Sequence, residues 1–218
     1  MINNAIKFYY KATQLKDVLR QGAVQWQVDK NRLESIAEHI YGTLILAIGM
    51  QSELNLQLDM EKVMKMLTIH ELEEIIIGDF TPLDNISSEE KIKMGKKAVK
   101  KITESLQMQD ELIAITDEFN ECKTKEAKFC IAMDKLECVL EFKKYVDLGQ
   151  TSLKKITPQM LENKYLKAYV DSGKYDLADI FFLYHMPAYK DFGIDENYWF
   201  KNLKKIEMCD TEKNILQK

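Results

Sequence analysis

Apolar side chains recur at three- and four-residue intervals through most of this chain, and very little interrupts them. Only 8 glycines and 3 prolines (Pro82, Pro158 and Pro187) punctuate 218 residues, so long helices are permitted and architectures of many short strands are not. The expected fold is all-α: a single-domain helical bundle with a C-terminal helical extension. A chain of this length can bury one sizeable core.

The periodicity divides the chain into segments. "AIKFYYKATQLKDVLR" reads as a first helix with Ile6, Tyr9, Tyr10 and Thr13 on one side, and "QGAVQWQ" breaks it. A second begins near Ser35, carries Ile36, Ile40, Leu44 and Ile48, and ends around Leu54. A third runs from a cap at Asp59 to a stop at Gly78. "SSEEKIKMGKKAVKKITESL" follows, with Lys93, Lys96, Lys97, Lys100 and Lys101 opposite Ile92, Met94, Ala98, Val99 and Ile102. That arrangement is a solvated face rather than a phosphate cradle. "KEAKFCIAMDKLECVLEFKKYVDL" is a further helix, Gly149 to Thr157 a connector, and the remainder holds two or three helices separated at Gly173 and Pro187.

Charge and cysteine usage exclude several functions. A formal net charge of −4 offers no long-range attraction for a polyanion, so a nucleic-acid polymer or a membrane surface is not the expected partner. The longest strongly apolar run, "LILAIGM", is far shorter than the ~20 residues a bilayer span needs. Cys122, Cys130, Cys138 and Cys209 lack paired CxxC spacing, and Asn3, Asn4 and Lys7 interrupt the start where a signal peptide would be apolar. A cytoplasmic protein with free thiols is expected.

Chemistry gathers in "TIHELEEIIIGDFTP". His70 and Glu74, four apart, share one side of a helix, Glu71 is rotated about 100° from His70, and Asp79 leaves the helix end just after Gly78. Acids at a helix end commonly do no more than face water. His39, in "LESIAEHIYG", lies 31 positions before His70, and two antiparallel helices would bring the imidazoles together; a lone histidine is more often simply bonded to a neighbour. Asp134 adds most. In "EAKFCIAMDKLECVL" it shares a helix row with Ala127, Cys130 and Cys138, a face of small apolar side chains where a carboxylate is costly unless paired or coordinated. Lys135 points elsewhere on a regular helix, which leaves a metal as the candidate partner. Cys130 and Cys138 read as core thiols. His185, in "FFLYHMPAY", reads as packed or interfacial, and the apolar run around it suits a homodimer interface or a tail folded back on the core.

These pieces resemble a known family. "ESIAEH", "IHELEEIIIGDFTP" and "EAKFCIAMDKLE" are similar in order and spacing to the H…HD…D motifs of the HD-domain metal phosphohydrolases, in particular the 5′-deoxynucleotidase branch, across roughly residues 10 to 145. The resemblance implies an HD-type domain over 1–150 and a helical extension over 151–218. It implies that His39, His70 and Asp134 are metal ligands, with Glu71 where the family has aspartate, holding one divalent transition ion: Mn, Co, Fe, Ni or Zn. Glu74 would handle a proton, Asp79 would recognise the sugar 3′-hydroxyl, and Arg20 would meet the substrate phosphate. Two departures stand out. Ala23 occupies the place of a family tryptophan, with Trp26 three residues on, and Gly95 lies where an acidic side chain is expected. The implied activity is hydrolysis of deoxyribonucleoside 5′-monophosphates to deoxynucleoside and phosphate. The alternatives are hydrolysis of another nucleotide phosphate ester, or binding of metal and nucleotide with turnover impaired by Glu71.

Overall fold

Helix follows helix through this computed structural model, which describes residues 2–29, 33–81 and 83–206, and no strand occurs among the described residues. The chain divides into two compact units, one running to Cys138 and one beginning at Val139.

In the first unit, α1 (Ile2–Ala12) passes into a 3-10 turn at Thr13–Lys16 and stops, where the periodicity predicts a helix continuing to Arg20. The predicted break at "QGAVQWQ" instead contains a short helix, α2 (Gln21–Gln25). Then comes α3 (Ile36–Leu54), opened by a reciprocal capping box between Ser35 and Glu38 and closed by Asn55 in the left-handed conformation. The Asp59 cap is present, its side chain accepting from the Lys62 amide, but the helix it starts, α4 (Met60–Ile69), ends well before Gly78. Residues 70–73 form tight turns, with the Leu72 amide donating to Ile69 and that of Glu74 to Glu71, before the short α5 (Glu74–Ile77).

Ser87 caps α6 (Ser88–Thr103), which buries Gly95, Ala98, Val99 and Ile102 and keeps Lys93, Lys96, Lys97, Lys100 and Lys101 outward. The next helix, α7 (Gln109–Glu121), carries no start signal: Met108 stands at its N-cap and makes no side-chain bond. Last in the unit begins α8 (Lys125–Asp147), within which the chain's division falls. α3 packs on α4, α4 on α7, and α6 on both α5 and α7. Their shared core is Ile36, Ala47, Val63, Met66, Leu67, Ala127, Phe129, Cys130 and Met133, all fully excluded from solvent. Burial of such side chains is the main stabilising contribution, about 1.5–3 kcal/mol for each large apolar group.

The second unit holds α9 (Lys164–Ser172), α10 (Leu177–His185) and α11 (Glu196–Lys201). Phe182 stacks on Trp199 with centroids 4.4 Å apart, and the Trp199 indole N–H donates to the buried Asp179 at 2.8 Å. His185 lies against the rings of Phe181 and Tyr184, which is a packed position. Among the described residues no helix is long and apolar enough to cross a membrane.

Candidate metal centre

Each donor is brought in by a different local device. The Ser35 capping box fixes where α3 starts, and His39 follows one turn later, fully buried. A single antiparallel bridge between Leu19 and Ser35, with the Arg20 amide donating to Glu34 O at 2.9 Å, draws Arg20 alongside the same helix start. After Ile69 the chain turns through residues 70–73, and the adjacent His70 and Glu71 both reach the cluster from the edge between their side chains. Asp134 enters from the middle of α8.

Ligand atoms of His39, His70, Glu71 and Asp134 all lie within 4.8 Å of one another, and all four residues are buried. His39 Nε2 is 3.0 Å from Asp134 Oδ1, and His70 Nε2 is 3.7 Å from Glu71 Oε1 and 3.9 Å from Asp134 Oδ1. Donors bound at about 2.0–2.2 Å to one ion stand roughly 3–4.3 Å apart, so the set needs only a slight contraction to close on a cation.

The protonation pattern fits as well. His70 Nδ1 is 2.7 Å from Leu67 O, and a carbonyl only accepts, so Nδ1 carries the proton. Nε2 is left with a free lone pair, buried and without a hydrogen-bond partner. Burial also lowers the His70 pKa, which keeps the ring neutral. A neutral imidazole with its lone pair aimed at carboxylates is the form that ligates metals. Six carboxyl groups, those of Glu71, Glu73, Glu74, Asp79, Asp134 and Glu137, gather here beside the cations Arg20, Lys91 and Lys135.

One expectation about Asp134 is corrected. Lys135 does not point away: its Nζ lies 2.9 Å from Asp134 Oδ2, because a four-carbon stem can double back where a short side chain could not. Burial works against charge on Asp134, but Lys135 and His39 more than reverse that and hold its carboxyl well below the usual carboxylate range. Asp134 is therefore paired through Oδ2, while Oδ1 faces both histidines.

Around the cluster stand the remaining predicted site residues. Gly78 adopts φ +79, ψ 167, a combination open essentially to glycine alone, and the turn it makes sends Asp79 back toward the first unit's interior. The Gln21 amide donates to Asp79 Oδ2 at 2.8 Å. Arg20 stands 3.9 Å from both Asp79 and Glu71, and its Nη2 donates to Cys138 Sγ at 2.6 Å. Glu74 is 1% exposed with neither carboxyl oxygen hydrogen-bonded. Burial, then Glu71 and Asp79, push its pKa up to about 11, so in the metal-free protein it holds a proton.

Two participants escape the sequence reading. Lys91 Nζ lies 3.6 Å from Glu74 Oε1, at the inner edge of a helix otherwise lined with solvated lysines; its place two residues before Lys93, off that row, is the signal that could have found it. At Gly95 the absent side chain leaves room for Glu73, whose Cγ would stand 3.3 Å from an added methyl.

Comparison with known proteins agrees with this geometry. The family described as "HD domain" matches residues 12–169. A Dictyostelium discoideum protein named 5′-deoxynucleotidase HDDC2 is 30% identical over 203 residues, 88% of this chain and 96% of that one. The Homo sapiens protein of the same name is 32% identical over 145 residues, 66% of this chain and 69% of that one. Among solved structures, a predicted metal-dependent phosphohydrolase from Magnetospirillum magnetotacticum MS-1 superposes with a TM-score of 0.60 at 20% identity, over 88% of this chain and 92% of that one, a likeness of fold. With the buried histidine and carboxylate cluster lying inside the matched residues, the chain belongs to the HD-domain family.

Proposed function

We propose that the protein is a metal-dependent phosphohydrolase that cleaves deoxyribonucleoside 5′-monophosphates to deoxynucleoside and inorganic phosphate. The observation that carries this reading is the convergence of His39, His70, Glu71 and Asp134, with His70 Nε2 buried and unpartnered among them. The names of the relatives supply the substrate class. One divalent transition ion held there, Mn, Co, Fe, Ni or Zn, would polarise a phosphoryl oxygen and acidify a water.

The chain's own residues do the rest. Arg20, charged at any working pH, presents a planar fork of donors to the phosphate, and its two flanking carboxylates keep that fork aimed. Lys91 adds a second positive charge beside Glu74. Glu74, buried beside Lys91, is placed to pass a proton to the leaving O5′ as the P–O5′ bond breaks. Asp79, steadied by the Gln21 amide at Oδ2, keeps Oδ1 available to accept from the sugar 3′-hydroxyl.

A small-molecule nucleotide is the partner this site accommodates, and the location proposed is cytoplasmic. A homodimer is supported by an exposed apolar stripe on α3, where Tyr41, Ile45 and Ile48 are 67%, 52% and 54% exposed. The test of the activity is phosphate release from matched deoxy- and ribonucleoside monophosphates with each candidate metal. Turnover of the deoxy series that depends on metal supports the reading; release from neither series rejects it.

A further inference from the structure

The metal reading gives His39 one task, to present Nε2 toward Asp134 and the cation, and leaves its other nitrogen unexplained. Nδ1 lies 2.5 Å from Glu137 Oε2. Asp134 and Glu137 are three apart on α8, hence on one face, and they bracket the imidazole from its two nitrogens. For Nε2 to offer a lone pair, the single proton of neutral imidazole must sit on Nδ1 and needs an acceptor in this solvent-free position. Glu137 is that acceptor.

A second residue makes the arrangement possible. Gly42 lies one helical turn beyond His39 on α3, where glycine is otherwise an unfavourable choice. A methyl at position 42 would overlap Glu137 Oε1 and stand 2.9 Å from its Cδ and 3.0 Å from its Cγ. All three of the nearest atoms belong to Glu137, so it is the side chain that the missing methyl most directly accommodates.

We infer that Glu137, seated against Gly42, is a positioning residue that fixes the tautomer and orientation of His39 and thereby sets the affinity and geometry of the metal centre. The inference rests on the proposed metal site. Cys138 completes a second group of donor atoms with His39 and Glu137, and the competing use of that group would be a separate cation site. It would strip both nitrogens of His39 of their protons, which is why the orienting role is preferred.

The test is a double-mutant cycle on the full-length, metal-stripped protein, titrated with Co²⁺ and followed by its visible absorption spectrum. Glu137→Ala and Gly42→Ala are each expected to weaken Co²⁺ binding about 10- to 100-fold and to alter the spectrum. The double variant should bind no more weakly than Glu137→Ala alone, since the added methyl then enters vacated space. Glu137→Gln, nearly isosteric and still able to accept from Nδ1–H, should lose less. It carries the test if the alanine variants do not fold, as judged by melting in EDTA.

Additive losses in the double variant, undiminished Co²⁺ affinity in Glu137→Gln and Glu137→Ala, or a second Co²⁺ equivalent that vanishes with Glu137 would each overturn the inference. A wild-type protein that binds no Co²⁺ would instead remove the metal site itself.

Discussion

Glu71 Oε1 lies 3.7 Å from His70 Nε2, so two consecutive residues deliver donors to one point at the edge between their side chains. The carboxylate reaches the cluster with glutamate's full length. Glu71→Asp would retract the oxygen by about one carbon–carbon bond, roughly 1.5 Å. The expected result is metal affinity about 10-fold weaker and a slower kcat, measured by metal titration and phosphate release. A rise in hydrolysis would mean that the site is an aspartate site degraded by its glutamate.

Arg20 is expected to act on the substrate and leave the metal in place. Arg20→Ala should lower kcat/KM for a deoxynucleoside monophosphate by about 10²–10³-fold, and Arg20→Lys should recover only part of it, because a point charge lacks the paired donors. Metal content, measured alongside, should stay at the wild-type level.

Asp79 and Gly78 form a linked pair. Asp79→Asn should lower kcat/KM for a deoxynucleoside monophosphate by about 10-fold, through a weaker acceptor at the 3′-hydroxyl. Gly78→Ala should destabilise the protein by about 1–3 kcal/mol, because alanine cannot hold φ +79 with ψ 167 without strain, and should lower kcat/KM in the same direction. Thermal melting and paired kinetics check both.

Removing the metal should make stability fall as pH rises. Burial, then Glu71, lifts Glu73 from 4.5 to about 7, and burial, then Glu71 and Asp79, lift Glu74 to about 11. Both stay protonated in the folded chain where the unfolded chain has ionised. Burial and Arg20 oppose charge on His39, but hydrogen bonds to Asp134 and Glu137 raise it from 6.5 to about 10. Its contribution is complete below pH 6.5 and lost as pH climbs through 10. The folded state binds the extra proton from about pH 4.5 to 7 at Glu73, from 4.5 to 11 at Glu74 and from 6.5 to 10 at His39, so these three groups give a negative slope between pH 6 and 9. The melting midpoint in EDTA should drop by about 5 °C or more between pH 6 and 9. Added metal requires deprotonated ligands, so its stabilising effect should grow over the same range.

Much of this was legible in the chain before any coordinates. Caps at Ser35, Asp59 and Ser87, and the scarcity of glycine and proline, place α3, α4 and α6, because such signals are local. The four donors were identifiable from motif order. What local patterns could not show was the stop after Ile69, since "TIHELEEIII" keeps good helix formers straight through it. α7 was hidden by its uncapped start. Lys135 was misread because the reach of a lysine depends on which neighbours it finds, while Lys91, set off the solvated row by its helical phase, was passed over.

The most direct test of the central claim is metal content measured together with phosphate release, in wild-type protein and in single alanine variants of His39, His70, Glu71 and Asp134. The account predicts about one equivalent of divalent transition metal per wild-type chain, hydrolysis of deoxynucleoside monophosphates abolished by chelation and restored by metal, and loss of both in each variant. Wild-type protein that takes up none of manganese, cobalt, nickel, iron or zinc, or that hydrolyses as fast after chelation as before, would contradict it.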